Sequence, residues 1–235
     1  MADTFEAVYA VPMECNACVD AVSKALAGVD GVTRYDIDLR KQLVNVSGSA
    51  APSKVVGAIQ ETGKDAIIRG TGKPESAAVA ILESFDPRDN LAPVKGLARM
   101  VSVGEQSLLI DLTLNGMEKG VYYPSIRSSG NISNGAHSTG KTLRKLDPII
   151  VNEKSDNLNS LFFGQSFVKV PLKISELIGR SVAISRKEDE LSEDSLVGVV
   201  ARSAGIWQND KQVCSCTGKT IWQERSDAIH HGIKI

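Results

Sequence analysis

Residues 9–28 read YAVPMECNACVDAVSKALAG, and this stretch sets the architecture of the first third of the chain. An apolar, strand-like run ends at Val11, and a run with apolar residues at helical spacing follows Asn16 and stops at a glycine. The hydrophobic period therefore changes from two to 3.6 within a few residues. Cys15 and Cys18 fall at this change, which predicts Cys15 in the loop and Cys18 in the first helical turn.

The position of the two thiols indicates their chemistry. A helix N-terminus offers free backbone N–H groups and a partial positive charge, and both lower a thiol pKa. Two thiolates with no further ligand nearby favour Cu(I), whereas zinc prefers four ligands. A thioredoxin-type redox pair and half of a zinc site stay open as alternatives. The Trp-Cys-Gly-Pro-Cys pattern of the first is absent, and residues 1–75 contain no second Cys or His pair.

Met-x-Cys-x-x-Cys between the first strand and the first helix resembles the heavy-metal-associated domain of copper chaperones and copper ATPases. Residues 1–73 scan as strand, helix, strand, strand, helix, strand, which predicts an α+β ferredoxin-like βαββαβ domain. The resemblance implies one Cu(I) bound by Cys15 and Cys18, with Met13 packed under the loop as a weaker thioether. It also implies that Lys64 lies near the loop that carries Cys15, which we call the metal loop. An ordinary solvated lysine is the alternative.

Composition narrows the class of protein. The 235 residues suffice for two ordinary domains, and 42% hydrophobic with 23% charged residues is typical of globular proteins. A formal net charge of −1 without a basic block gives no sign of a nucleic-acid or anionic-membrane partner. No apolar run approaches the ~20 residues of a membrane span, and no signal pattern opens the chain. We therefore expect a soluble protein in a reducing compartment, where paired cysteines indicate metal binding or redox chemistry.

Residues 76–205 carry many short strand signals separated by Gly, Ser, Asn and Pro, and they predict an all-β domain. GNISNG at 130–135, LIGRSV at 177–182 and LVGVVAR at 196–202 resemble stretches of Cu,Zn-superoxide dismutases. The resemblance implies a Greek-key barrel of superoxide dismutase type.

The dismutase metal site and disulfide are missing from the sequence. A dismutase site needs about half a dozen histidines, and this chain has three in all. Hydroxyl groups do not replace imidazole as copper ligands, and an arginine repels the cation. The residues that the resemblance places at copper-ligand positions are Ser125, Arg127, Thr142 and Ser185, and those at the disulfide positions are Ala136 and Val197. We expect a barrel that keeps its fold for the surface it presents.

That surface is implied by the way in which dismutases pair. One dismutase-like face can replace another in a two-fold pair, so the barrel is expected to form a heterodimer with Cu,Zn-superoxide dismutase. We call that dismutase the client. When the client is absent, pairing of the chain with itself is the alternative. The residues implied for this client face are Gly130, Asn131, Ile178, Gly179, Val199 and Ala201.

Residues 206–235 show little periodicity, which predicts an irregular C-terminal tail around Cys214 and Cys216. In an extended segment, residues two apart point to the same side, so both sulfurs would face one partner. We interpret the pair as a second Cu(I) site and as the thiols that exchange a disulfide with the client. A disulfide between cysteines two apart closes a small, strained and easily reduced ring. Two ordinary surface thiols are the alternative.

The order of the three parts is similar to the family of copper chaperones for superoxide dismutase. The resemblance implies a metallochaperone rather than an enzyme. Such a protein delivers Cu(I) to Cu,Zn-superoxide dismutase and promotes formation of the dismutase's internal disulfide, which amounts to sulfhydryl-oxidase-like help to the dismutase. A thiol-disulfide oxidoreductase in which copper binding is incidental is the alternative function. The implied location is the cytoplasm, with the mitochondrial intermembrane space as a second compartment.

Overall fold

The computed structural model describes residues 3–154 and 162–230, and residues 5–71 form a four-stranded sheet with two helices. The sheet order β2-β3-β1-β4, with antiparallel pairs throughout, is that of a ferredoxin-like domain, so the predicted N-terminal fold is confirmed. Its elements are β1 (Phe5–Ala10), α1 (Asn16–Ala27), β2 (Val32–Asp38), β3 (Leu43–Gly48), α2 (Pro52–Gln60) and β4 (Ile67–Thr71).

The N-terminal domain folds around one apolar stripe from each helix. Val22 and Leu26 of α1 lie four residues apart and are fully buried, as are Val55 and Ile59 of α2. Both helices cover one face of the sheet, where alternate strand residues such as Val44 meet them. This packing therefore fixes the position of the loop that follows β1.

The second domain is all-β, as predicted. Its strands pair in the order β10-β8-β14-β15-β5-β6-β7-β13-β12, and β11 pairs with β8 while Ile150 and Val151 pack against Gly164 of β13. The sheet thus curves round on itself as a barrel. Its elements are β5 (Ala77–Glu83), β6 (Val94–Gly104), β7 (Ser107–Met117), β8 (Gly120–Arg127), β9 (Ser133–Ala136), β10 (Thr142–Lys145), β11 (Ile149–Val151), β12 (Glu153–Lys154), β13 (Phe162–Val170), α3 (Ile174–Leu177), β14 (Ser181–Ser185), β15 (Leu196–Val199) and β16 (Ala201–Arg202).

Strand β7 is buried on both faces. Ile110 and Leu112 point into the barrel core, whereas Leu109 joins the core of the N-terminal domain together with Val101. A half-buried strand exposes its alternate residues, but here Asp111 is only 2% exposed. The N-terminal domain covers this side of the barrel.

Asp111 supplies the polar contact in that interface. Its Oδ2 accepts a hydrogen bond from the Ser53 backbone N–H at 2.8 Å, and its Oδ1 accepts one from the Ser53 hydroxyl at 2.6 Å. Helix α2 has no side-chain cap of its own at Ala51, so a carboxylate of the barrel caps it. Burial raises the pKa of Asp111, although Arg99, 3.7 Å away, opposes that shift.

The C-terminal tail is more ordered than predicted. The prediction of an irregular tail is wrong for α4 (Ile221–His230), a ten-residue helix. Thr220 and Gln223 cap it reciprocally: the Thr220 backbone N–H donates to Gln223 Oε1, and the Thr220 hydroxyl accepts from the Gln223 backbone N–H. This Thr-x-x-Gln capping box was readable in the sequence.

Residues 231–235 lie outside the described residues, and the domain boundaries 1–73, 76–205 and 206–235 stay predictions. No helix within the described ranges is long and apolar enough to span a membrane.

We expect Asp111→Ala to destabilise the protein by about 3–5 kcal/mol, because it uncaps α2 and leaves the Arg99 charge buried beside an apolar group. Denaturant unfolding measures the change. Asp36→Ala, on exposed β2, is the matched control and should cost less than about 0.5 kcal/mol. A loss below about 1 kcal/mol for Asp111→Ala would show that the domains do not depend on this contact.

Candidate metal centre

The structure places Cys15 and Cys18 where the sequence predicts them. Cys15 is the residue before α1, with extended backbone at φ −155°, and its carbonyl accepts the first helical hydrogen bonds from Cys18 and Val19. Cys15 is exposed and Cys18 half-buried, both as free thiols. Their sulfurs lie 3.6 Å apart, so one ion can reach both.

The loop holds Cys18 as a ready thiolate. Hydrogen bonds from the backbone of Glu14 and of Cys15, followed by the Cys15 side chain, lower the pKa of Cys18 from 9.0 to about 7. The charge of Lys64 makes the smallest contribution to lowering that pKa. The thiolate, which is the metal-binding form, is therefore favoured at Cys18 relative to a free cysteine.

The loop is supported from below. Met13 is 2% exposed and belongs to the domain core, so its thioether is packed rather than offered to a metal. Gln42 donates its side-chain N–H to the Met13 carbonyl at 3.2 Å, and its own carbonyl accepts from the Val11 N–H. Gln42 adopts φ 55°, a left-handed conformation at the β2–β3 turn. Sequence analysis missed this support, because the contact spans 29 residues.

The donor set fits a two-coordinate ion. Metal–thiolate bonds of about 2.3 Å would put two sulfurs about 4.6 Å apart across a linear ion, so the exposed loop must open by about an ångström. Within residues 3–154 and 162–230, no group of three or more His, Cys, Asp or Glu could hold a metal. A closed four-ligand zinc site is therefore not built by the described residues.

The tail thiols lie in a turn. The Cys214 N–H donates to the Lys219 carbonyl at 2.8 Å, and the Cys214 carbonyl accepts from the Gly218 N–H at 2.9 Å. An isolated bridge joins Val213 to Thr220. The prediction that Cys214 and Cys216 lie in an extended segment is therefore wrong. Hydrogen bonds from the side chain and backbone of Thr217 lower the pKa of Cys214. We call residues 213–220 the tail hairpin.

None of the four residues that the resemblance places at copper-ligand positions of the barrel is a histidine. Arg127 is buried there, with Nε donating to the Thr139 hydroxyl at 3.1 Å and its other nitrogens donating to Thr142 and the Gly140 carbonyl. A position that the resemblance assigns to a copper ligand thus carries a fixed positive charge, which would repel a metal cation.

The disulfide positions are apolar. Ala136 and Val197 pack into one small buried cluster with Ala183. The two residues therefore share one buried cluster, and neither carries a sulfur.

The predicted client face is contiguous in its centre. Gly130 packs against the Gly179 carbonyl and Val199 Cγ1 so closely that no Cβ would fit. The Gly179 N–H donates to the Val200 carbonyl at 2.9 Å, which ties α3 to the last strands. Asn131, Gly179 and Ala201 are exposed, and Ile178 and Val199 are half-buried.

Comparisons with known proteins match the whole chain. Residues 8–65 match the family described as the heavy-metal-associated domain. The chain is 57% identical to the superoxide dismutase 1 copper chaperone of Debaryomyces hansenii, covering 100% of both chains. It is 47% identical to the protein of that name in Saccharomyces cerevisiae, over 99% of this chain and 98% of the relative. It is 32% identical to the copper chaperone for superoxide dismutase of Homo sapiens, over 94% of this chain and 89% of the relative. A solved structure, the copper(I)-loaded first domain of the human copper chaperone for SOD1, is 36% identical over 29% of this chain and 97% of that chain, with a TM-score of 0.28.

We expect the alkylation rate of Cys18 to rise with pH through a midpoint near 7, because only the thiolate reacts and its pKa is lowered to about 7. Iodoacetamide labelling read residue by residue by mass spectrometry measures it. Lys64→Met should move the midpoint upward, since a positive charge is lost. Lys24→Met, at the other end of α1, should leave it unchanged. A parent midpoint near 9 would contradict the thiolate assignment.

Proposed function

The chain belongs to the family of copper chaperones for superoxide dismutase, and from that premise we propose that it carries Cu(I) on Cys15 and Cys18 and delivers it to a Cu,Zn-superoxide dismutase. The observation that carries the proposal is the thiol pair at the start of α1, with sulfurs 3.6 Å apart and a lowered Cys18 pKa. Soft thiolates suit Cu(I) better than a hard or borderline cation.

The exposed loop suits a cargo rather than a resident ion. Cys15 is exposed at the tip of the domain, so an incoming thiolate can approach an ion held there. Transfer then proceeds by ligand exchange, in which one new sulfur binds before one old sulfur leaves. Copper stays Cu(I) throughout, and the buried Met13 does not add a bond that would have to break.

The barrel serves docking in this proposal. By resemblance, Arg127 stands where a dismutase has a copper-binding histidine, and this supports a docking role for the barrel rather than dismutase chemistry. The client face around Gly130, Gly179 and Val199 is the surface we propose to pair with the client subunit. A dismutase-like face fits there because two-fold pairing uses the same patch on both partners.

The tail hairpin completes the delivery. We propose that Cys214 and Cys216 take Cu(I) and, when joined as a disulfide, oxidise two client thiols. A client thiolate attacks the tail disulfide and forms a mixed disulfide, and the second client thiolate then displaces the tail sulfur. The client gains its disulfide and the tail is left as two thiols.

We expect Gly179→Glu to abolish heterodimer formation, because a carboxylate at the centre of the client face would be desolvated without a partner. Gly179 has φ +79°, so any side chain strains the backbone there. Gly179→Ala is therefore the matched control, since it carries the strain without the charge. Size-exclusion chromatography with a metal-depleted dismutase measures association. If Glu and Ala variants associate equally, the docking face lies elsewhere.

We expect Cys214→Ser with Cys216→Ser to fold and to dock on the client, yet to fail to activate it. The serine hydroxyls neither hold Cu(I) nor exchange disulfides. Ser215→Ala, in the same turn, controls for changes in the hairpin itself. The assay is dismutase activity of a reduced, metal-depleted client after incubation with copper-loaded protein. Activation at the parent rate would remove the tail from the proposed function.

A further inference from the structure

The loop between β5 and β6, residues 84–93, holds its shape through its own contacts, and we call it the β5–β6 loop. The Ser84 backbone N–H donates to the Pro93 carbonyl at 2.8 Å and closes the loop at its base. Within the loop, one turn of 3₁₀ helix begins after Asp86, whose carboxylate accepts from the Arg88 N–H at 2.8 Å. These bonds restrict the backbone conformations that are open to the loop.

Two ion pairs fix the loop further. The Arg88 guanidinium forks onto the Asp86 carboxylate, with its Nε 2.9 Å from Oδ2 and 3.0 Å from Oδ1. Asp89 pairs with Lys95 of β6, whose largely buried Nζ lies 3.0 Å from Oδ1. Because these contacts exist in the free chain, the loop would lose little conformational entropy when a partner binds it.

The β5–β6 loop presents two apolar side chains to solvent. Leu91 is 93% exposed, the highest value for a large apolar residue among the described residues, and Phe85 is 43% exposed. Neither side chain belongs to the apolar core of the barrel or of the N-terminal domain. A single exposed leucine needs no explanation by itself. Here, however, a set of polar contacts orders the backbone around a leucine that packs into neither core.

The apolar surface connects to the client face along the sheet. Val197 of β15 pairs with Glu83 of β5, and this antiparallel register places Val199 of the client face opposite Ile81. Ile81 is 52% exposed, so it extends the client face onto β5. Strand β5 then leads directly into the β5–β6 loop.

The segment 130–135 provides a second connection. It begins at Gly130 and Asn131 of the client face and reaches Gly135 in β9. Gly135 packs against Phe85 so closely that an added Cβ would lie 3.3 Å from the phenylalanine Cβ. The β5–β6 loop therefore adjoins the client face along two routes, through β5 and through this segment.

From this continuity we propose that the β5–β6 loop is a second contact for the client, in which Leu91 enters an apolar recess of the docked dismutase subunit beside the paired faces. The inference rests on the proposed function and deepens it. The client face aligns the two barrels by a patch that both partners share. The loop lies outside that patch, so it meets a different part of the client and adds a contact of its own.

The chemistry of the loop favours a folded protein as its partner. Its charged side chains are one arginine and two aspartates, so it has no surplus of positive charge for a nucleic acid or an anionic membrane. Of the two aspartates, Asp86 is neutralised by Arg88, and Asp89 by Lys95. What the loop offers to a partner is an ordered apolar side chain, which gains from burial in an apolar recess.

The affinity of the full chain for a metal-depleted dismutase tests the proposal, measured by isothermal titration calorimetry. We expect Leu91→Ser to raise the Kd at least tenfold, because a fully buried leucine contributes about that factor or more. Leu91→Met keeps the apolar volume and should retain most of the affinity. Ile150→Ser is the matched control, since Ile150 is also exposed but pairs with Val121 at the other end of β8 from the client face. All three variants change exposed side chains, so their unfolding midpoints and Cu(I) affinities should equal those of the parent.

Photocrosslinking provides a direct readout of the contact. Benzoylphenylalanine placed at position 91 should cross-link to the client, whereas the same group at position 150 should not. If Leu91→Ser binds the client as tightly as the parent, or if position 91 cross-links only to a second copy of this chain, the inference is overturned and the proposed docking stands. If the parent itself does not associate with the dismutase, the proposed docking fails and the inference fails with it.

Discussion

The buried carboxylate of Asp111 is the contact on which the arrangement of this molecule depends. It lies on a barrel strand, but it caps helix α2 of the other domain through the N–H and hydroxyl of Ser53. A desolvated carboxylate is costly unless its oxygens are satisfied. Because both oxygens find donors only when α2 starts at this point, the contact fixes how the N-terminal domain sits on the barrel. Lys64 and Asp65, which follow α2, are positioned as a result.

The three parts of the chain are held by different forces. Apolar burial holds the N-terminal domain to the barrel, since Val101 and Leu109 of the barrel belong to the same core as Tyr9. Charged and polar contacts hold the tail, chiefly at Arg69 and Arg225. Apolar burial does not depend on orientation, whereas hydrogen bonds to carbonyls and a forked ion pair require a defined geometry. The joint between the domains therefore rests on area, and the joint to the tail rests on a few oriented polar contacts.

Local sequence patterns predicted most of the fold, but they did not predict polar contacts between residues that lie far apart in the chain. The change of hydrophobic period around Cys15 was enough to place the metal loop, because the signal and the structure lie within a dozen residues. No pattern links Arg69 to Asn209, since a guanidinium and a carbonyl leave no periodic trace. Helix α4 of the tail was missed for a different reason. Its capping box at Thr220 is present in the sequence, but the helix contains too few apolar residues to show a helical hydrophobic period.

The metal loop shows how a carrier differs from a site that keeps its ion. A resident metal is closed in by four ligands on rigid elements, and removing it means breaking several bonds at once. Here two sulfurs stand at the free end of a helix, and the third sulfur-bearing side chain, Met13, is turned into the core. In the proposed function, an ion held by only these two sulfurs would keep open coordination, so an incoming thiolate could bind before the old one departs. Backbone hydrogen bonds lower the pKa of Cys18 and favour its thiolate, which in that proposal is the form both before capture and after release of the ion.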